Sequence, residues 1–191
     1  MEDLDDRSQG KKKEKREYPY ETTKGRDKLM VLSADRRETF INYIDKNHIG
    51  ILCSPPSSGK STLGEYFQDH FNGLYISMAG ILREDEEIKR EYFDAFWISK
   101  IGRTWDEISN CTEKTYLFID EIQLIYGNHA RYFWQRIKVL QSNIGCNENL
   151  WILFLSTYYL TLADNPISVE FASSLSLNDL LLTQKNLIHL L

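Results

Sequence analysis

The sequence predicts an α/β fold of three layers, in which helices cover both faces of a mostly parallel sheet. Short apolar segments alternate with amphipathic ones along most of the chain, as strands and crossover helices do in such a sheet. One apolar segment, which begins at Ile49, leads into a loop of serine, proline and glycine, and another, at 115–121, ends in two acids. Ligands bind at the carboxyl edge of open α/β sheets, so we expect these two strand ends to lie at the functional edge.

The individual elements follow from the hydrophobic period and from capping residues. Helices are predicted at 33–46, 61–71, 83–98, 129–142 and 184–191. Strands are predicted from Ile49 onward and at 74–78, 115–121, 150–157 and 167–171. Asn47 is the predicted left-handed C-cap of the first helix. Thr104 and Glu107 form a capping box that predicts a further short helix.

The loop after the first strand carries the second half of the P-loop pattern, G-x-x-x-x-G-K-[ST]. Its candidate nucleotide-binding residues are Ser54, Pro55, Pro56, Ser57, Ser58, Gly59, Lys60, Ser61 and Thr62. In such a loop, backbone N–H groups and the N-terminus of the next helix hold phosphates. Lys60 would reach the β- and γ-phosphates of ATP, and the Ser61 hydroxyl would be one Mg²⁺ ligand. The departure from the pattern is Ser54, which stands at the place of the first glycine before two prolines that have no N–H.

The acids at the end of the strand 115–121 form a Walker B pattern. Asp120 would act on Mg²⁺, and Glu121 would polarise the attacking water as the main catalytic residue beside Lys60. The strand 150–157 ends in Ser156 and Thr157, and Ser156 is a third catalytic candidate. A polar residue at this strand end would touch the γ-phosphate or the attacking water, or else have its hydroxyl satisfied by the neighbouring backbone. These motifs together predict a P-loop NTPase domain that binds ATP and Mg²⁺.

Composition sets the outer bounds. The chain has 191 residues, of which 42% are hydrophobic, which is enough for one core. We expect one domain at 29–191 that is incomplete at its C-terminus. Residues 1–28 are polar and rich in both charges, so we expect them to be a disordered tail. The net charge of −5 argues against a generally nucleic-acid-coating protein. The basic run 11–16 would be a nuclear import signal, a nucleic-acid contact or a solvated tail.

Three cysteines without metal-ligand spacing predict reduced thiols and an intracellular protein. If the basic run 11–16 is an import signal, the location would be nuclear. No apolar run approaches the length of about 20 residues that a membrane helix needs, and residues 1–28 show no apolar core of a signal peptide. The sequence therefore predicts no membrane partner.

The finer pattern is similar to the P-loop NTPase domain of the Crinkler effector-like proteins, over roughly residues 35–191. The segments that carry this resemblance are 54–62, 102–105, 116–123, 126–127, 133–138 and 154–158. Glu121 beside Asp120, with a further strand predicted between the P-loop and Walker B strands, resembles the additional-strand ATPase class, in which the Walker B strand is not adjacent to the P-loop strand. The resemblance to the Crinkler effector-like proteins implies ATP hydrolysis, a fused or partner effector domain and secretion into a host. A homo-oligomer is a further expectation.

Two functions remain open at this point. One is an Mg²⁺-dependent ATPase, and the other is a non-catalytic nucleotide-binding or interaction module whose P-loop is degraded at Ser54. Glu121 favours the ATPase, because a site kept only for binding has no need of a water-polarising acid. Arg103, Arg131 and Arg136 are candidates for an arginine that contacts the phosphates.

Overall fold

Five parallel strands form one sheet in the computed structural model, which describes residues 34–71, 73–81, 90–127, 130–142, 148–158, 169, 171 and 173–180. All of these residues belong to one compact unit, Val31–Leu191. The strands are β1 (Ile49–Cys53), β2 (Gly73–Ser77), β3 (Thr115–Asp120), β4 (Leu150–Ser156) and β5 (Ser174–Leu175). Their spatial order is β2-β3-β4-β1-β5, and every pair is parallel. β4 therefore separates the two motif-bearing strands, β1 and β3, as the additional-strand class requires.

Helices connect the strands. The α-helices are α1 (Ala34–Asn47), α2 (Lys60–His70), α3 (Arg90–Ile101), α4 (Trp105–Ser109), α5 (Arg131–Ser142) and α6 (Leu177–Leu180). Two 3₁₀ helices, Met78–Gly80 and Ile122–Ile125, follow β2 and β3 directly. None of the described helices is both long enough and apolar enough to cross a bilayer.

Alternation along the strands divides the helices into two layers. Residues with even and odd numbers in β3 point to opposite faces of the sheet, as in any strand. On one face, Phe67 of α2 stacks on Phe118 of β3 with ring centroids 5.2 Å apart, and Phe40 of α1 meets Phe67 edge-on at 6.4 Å. These three rings are almost completely buried.

The opposite face carries an aromatic core built by α3, α4 and α5. Phe93 of α3 contacts Trp105 of α4 at 5.8 Å and Phe133 of α5 at 5.7 Å between ring centroids. Phe133 in turn contacts Phe154 of β4 at 6.2 Å. With helices on both faces of a parallel sheet, the predicted three-layer α/β/α fold is confirmed.

Tyr43 of α1 holds together the end of the sheet that is formed by β1 and β5. Its ring crosses β1 at Gly50, where a Cβ atom would clash with that ring. Its hydroxyl donates to the Ser173 carbonyl at 2.7 Å and accepts the Ile51 N–H at 3.2 Å. This one side chain therefore joins a helix, a central strand and the segment before β5.

Several expectations need correction or stay open. The described fifth strand is Ser174–Leu175, in which two residues pair with β1, an edge too short to show a period. Of the strand expected at 167–171, residues 167, 168 and 170 lie outside the described residues, and neither Val169 nor Phe171 is in a strand. The left-handed residue after α1 is His48, with φ 52°, rather than Asn47, which is still helical. The tail at 1–28, the start of the helix expected at 83–98, and the helix expected at 184–191 lie outside the described residues.

The capping box predicted at Thr104 is confirmed, and it generates a test. The Thr104 Oγ1 accepts the Glu107 N–H at 3.2 Å, and Glu107 Oε2 accepts the Thr104 N–H at 2.7 Å. Since this box starts the helix that buries Trp105, Thr104→Ala should lower the free energy of unfolding by about 1 kcal/mol. Urea denaturation measures it, with Thr112→Ala at an exposed loop position as the control. Equal stability of the two variants would contradict a stabilising cap.

Candidate functional site

The loop between β1 and α2 lines a cleft at the carboxyl edge of the sheet. Gly59 precedes the helix with φ 93°, a conformation that favours glycine, and a Cβ atom there would meet nothing within 4 Å. The first intrahelical bond runs from the Leu63 N–H to the Gly59 carbonyl at 2.9 Å. The N–H groups of Lys60, Ser61 and Thr62 come before it, where a helix has no acceptor of its own to offer.

Lys60, Ser61 and Thr62 line an open cleft of about 290 Å³. Its lining residues are Pro56, Ser57, Ser58, Gly59, Lys60, Ser61, Thr62, Glu121 and Thr157. The structure thus brings seven of the nine predicted loop residues to one cleft together with the predicted catalytic acid. Ser54 and Pro55 are not among the lining residues.

Lys60 is folded back onto its own loop. Its Nζ donates to the Ser54 carbonyl at 2.5 Å and to the Pro55 carbonyl at 2.8 Å, and the residue is only 6% exposed. Burial lowers the pKa of Lys60, while the nearby carboxylates of Asp120 and Glu121 oppose that shift. A buried ammonium group that carbonyls hold at the floor of a cleft is placed to meet an anionic ligand.

Ser54 plays a main-chain role. Its N–H donates to the Ser156 carbonyl at 3.0 Å, which extends the pairing of β1 with β4, and its own carbonyl accepts from Lys60. Among the described residues that are not glycine, positive φ occurs at His48, Ser57 and Glu121, and not at Ser54. Ser54, the residue that departs from the P-loop pattern, therefore does not need the left-handed backbone conformation that favours glycine. Ser57, with φ 59°, carries the left-handed turn instead.

Asp120 is a buried carboxylate on which three elements converge. It is 2% exposed, and its Oδ2 accepts the Ser61 hydroxyl at 2.5 Å and the Tyr75 hydroxyl at 2.7 Å. Its Oδ1 accepts the Glu121 N–H at 2.8 Å. The two predicted Mg²⁺ residues, Ser61 and Asp120, are thus in direct contact although 59 residues separate them in the chain.

Tyr75 is a site residue that the sequence analysis missed. It lies in β2, with its ring against Gly64 of α2, where a Cβ atom would come within 2.5 Å of the ring. The absence of a side chain at Gly64 lets the phenol reach Asp120. Burial and the Asp120 carboxylate both raise the pKa of Tyr75, so its hydroxyl stays a donor. The sequence signal for this contact was Gly64, a glycine on the inner face of α2. Its link to Tyr75 and Asp120 could be seen only once the β2–β3 register was known.

Glu121 adopts an unusual backbone conformation, with φ 56° and ψ 35°. Its Oε2 accepts a short hydrogen bond from Nε2 of Gln123. The same Gln123 nitrogen donates to Thr157 Oγ1 at 3.2 Å, and Gln123 Oε1 accepts the Thr157 N–H at 3.2 Å. Gln123 has no role in the sequence-based predictions, which name Ser156 rather than Thr157 as the catalytic candidate at the end of the strand 150–157. Both polar groups follow the ends of buried strands, as the assigned residues do.

Ser156 is fully buried and does not line the cleft. Its hydroxyl donates to the Tyr158 carbonyl at 2.7 Å, which is the backbone-satisfied alternative raised for this position. Its neighbour Thr157 reaches the cleft in its place. A catalytic role for Ser156 stays a prediction that this geometry does not favour.

The three candidate arginines lie away from the described cleft lining. Arg136 forms an ion pair with Asp106 at 3.0 Å and donates to the Tyr132 hydroxyl at 3.0 Å. Arg103 lines a separate cavity of about 360 Å³ with Glu107 and others. Arg131 is exposed at the start of α5.

The Tyr75–Asp120 hydrogen bond can be tested on its own. Tyr75→Phe keeps the ring against Gly64 but removes one of the donors to a buried carboxylate, so the free energy of unfolding should fall by about 1.5–3 kcal/mol. Chemical denaturation measures it. Tyr66→Phe, on the same α2 helix, is the control and should change stability by less than about 0.5 kcal/mol. An equally small effect of both substitutions would contradict the role assigned to Tyr75.

No protein-family model matches the sequence, and a comparison with curated proteins found no match. Among solved structures, the chain is similar to the Walker-type ATPase PABY2304 of Pyrococcus abyssi, with a TM-score of 0.56 and 13% identity, over 68% of this chain and 46% of that one. It thus spans less than half of that protein's length. Weaker matches are the RuvB Holliday junction branch migration motor of Thermotoga maritima (TM-score 0.41, 16% identity, 69% and 40% covered) and PCH-2 of C. elegans (0.37, 14%, 74% and 37%).

The likeness to the Pyrococcus protein, at this identity, concerns the fold. The chain therefore has the fold of a P-loop NTPase.

Proposed function

We propose that this chain binds ATP with Mg²⁺ at the cleft between the loop 54–62 and the end of β3, and that it hydrolyses the γ-phosphate. The observation that carries the proposal is the 2.5 Å contact of Ser61 with Asp120 beside the buried Lys60, with Glu121 on the same cleft. A hydroxyl, a carboxylate, an ammonium group and free helix N–H groups form the set that phosphoryl-transfer sites use.

The residues present fit an Mg²⁺–nucleotide complex. The Ser61 hydroxyl and the Asp120 carboxylate are hard oxygen ligands of the kind that Mg²⁺ prefers. Within the described residues, no cluster of three or more His, Cys, Asp or Glu side chains could hold a metal by itself. The ion would therefore share its coordination between protein and phosphate oxygens, and when bound it would neutralise charge on the β- and γ-phosphates.

The protein's own groups would do the remaining work. Lys60 would exchange its bonds to the Ser54 and Pro55 carbonyls for phosphate oxygens, and the N–H groups at the start of α2 would hold the same phosphates. Glu121 would accept a hydrogen bond from the attacking water and orient it. Thr157 faces the same cleft and offers a hydroxyl to the outer phosphate or to that water.

The resemblance to the Crinkler effector-like proteins supports a finer proposal. In this proposal the domain uses ATP to drive or switch an effector domain, either fused to it or supplied by a partner, or it acts as a homo-oligomer. Intracellular and nuclear locations remain part of the same proposal. A non-catalytic binding module is the competing function, and the experiments below distinguish the two.

Lys60→Ala should weaken ATP binding, because it removes a charge-assisted phosphate contact worth about 1.5–3 kcal/mol, roughly a ten- to hundred-fold loss of affinity. Isothermal titration with ATP and Mg²⁺ measures it. Lys46→Ala, which removes an exposed lysine of α1, is the control. The melting temperature without nucleotide shows whether each variant is folded, and unchanged ATP affinity in folded Lys60→Ala would refute the phosphate-binding role of the loop.

Glu121→Gln should separate binding from hydrolysis. The carboxylate acts on the water only as the transition state forms, so ATP affinity should stay near that of the wild type. Turnover should fall by at least about 100-fold, the lower end of what a positioned acid–base group contributes. Phosphate release measures the rate, with Glu91→Gln on α3 as the matched control. If the wild type binds ATP but turns it over no faster than Glu121→Gln, the binding-module function takes the place of the ATPase.

A further inference from the structure

We propose that Gln123 is a positioning residue that clamps the Glu121 carboxylate to Thr157 at the end of β4, and so sets the orientation in which Glu121 meets the attacking water. This inference rests on the proposed ATPase function and adds a residue to its machinery.

The backbone that carries Gln123 is held in place. Gln123 lies in the 3₁₀ helix Ile122–Ile125, and the side chains of Ile122 and Ile125 are fully buried. Trp134 of α5 donates its indole N–H to the Ile125 carbonyl at 2.8 Å. A short 3₁₀ turn that core side chains hold at both ends is a rigid base for a polar side chain between them.

The orientation of the Gln123 amide follows from its partners. The backbone N–H of Thr157 can only donate, so the group that faces it at 3.2 Å must be the amide oxygen. The ionised carboxylate of Glu121 can only accept, so the group that faces it must be the amide nitrogen. The second hydrogen of that nitrogen points to Thr157 Oγ1 at 3.2 Å. Each end of the amide thus has the partner its chemistry requires.

The backbone conformation of Glu121 requires contacts that hold the residue in place, and Gln123 makes one of them. The left-handed conformation of Glu121 is unfavourable for a residue with a side chain and persists only where the surroundings hold it. Its N–H is fixed by Asp120, and its side chain is fixed by Gln123. Together these contacts aim a carboxylate from a strained position into the cleft.

The clamp joins the two residues that line the cleft from outside the phosphate loop. Glu121 follows β3 and Thr157 follows β4, and Gln123 bonds to both. A shift at the end of β4 is therefore passed to the catalytic acid. Misplacement of a reacting group by about 1 Å can change a rate about 100-fold without a change in ground-state affinity, so Gln123 should act on turnover.

The test begins with Gln123→Glu, which is nearly identical in shape. It keeps an oxygen for the Thr157 N–H but replaces the donor to Glu121 with a second carboxylate. Hydrolysis should fall about 10- to 100-fold, while ATP affinity stays within about two-fold of the wild type. Gln68→Glu adds the same charge at an exposed position of α2 and serves as the control. An unchanged rate, or a loss explained by weaker ATP binding, would overturn the positioning role.

A charge-swapped double variant tests the clamp without reference to activity. Gln123→Glu should lower the melting temperature, because two carboxylates face each other. Adding Glu121→Gln restores a donor and an acceptor in reversed places, so the melting temperature should recover most of that loss while hydrolysis stays at the low rate of Glu121→Gln. Failure of this recovery would overturn the clamp even if the wild type is an ATPase. If the double variant recovers its melting temperature but the wild type hydrolyses no ATP, the proposed function is overturned and the clamp remains a structural contact.

Discussion

The site depends on one buried charge, the carboxylate of Asp120. A carboxylate that is 2% exposed is costly unless hydrogen bonds replace the water it has lost. Ser61 from α2, Tyr75 from β2 and the Glu121 N–H supply those bonds, with the Lys60 ammonium nearby. Removing one hydrogen-bond donor from a buried carboxylate of this kind lowers the free energy of unfolding by about 1.5–3 kcal/mol. Satisfying Asp120 therefore fixes the position of the P-loop helix against the sheet.

The other features of the site follow from that constraint. Because α2 is tied to the end of β3, its first N–H groups and the cleft-lining Glu121 face the same space. Lys60 closes the loop on itself through the Ser54 and Pro55 carbonyls, so the loop keeps its shape although prolines remove two of its N–H groups. The departure at Ser54 is compatible with a working loop, since that residue contributes backbone and sits outside the left-handed region.

The fold could be predicted because the central strands β1, β3 and β4 are buried on both faces, and such strands read as continuous apolar runs, as in 116–119. The loop and the acidic pair could be predicted because their chemistry is local in sequence. Tyr75 and Gln123 could not, since each acts through a residue that only the strand register or a 3₁₀ turn brings near. β5 could not be predicted for a different reason, because its two edge residues carry no period. Ser156 and Thr157 are adjacent, and only the structure decides which one reaches the cleft.

The central claim is that this cleft holds a cation–nucleotide complex through Ser61, Asp120 and Lys60. The most direct measurement is a crystal structure of the full chain with a non-hydrolysable ATP analogue and Mn²⁺, whose anomalous scattering locates the metal. We expect the Mn²⁺ peak beside Ser61 and Asp120, the triphosphate on the N–H groups that begin α2, and the Lys60 Nζ moved from the loop carbonyls to phosphate oxygens. Nucleotide bound elsewhere, or an empty cleft at saturating analogue with Lys60 still on the Ser54 carbonyl, would contradict it.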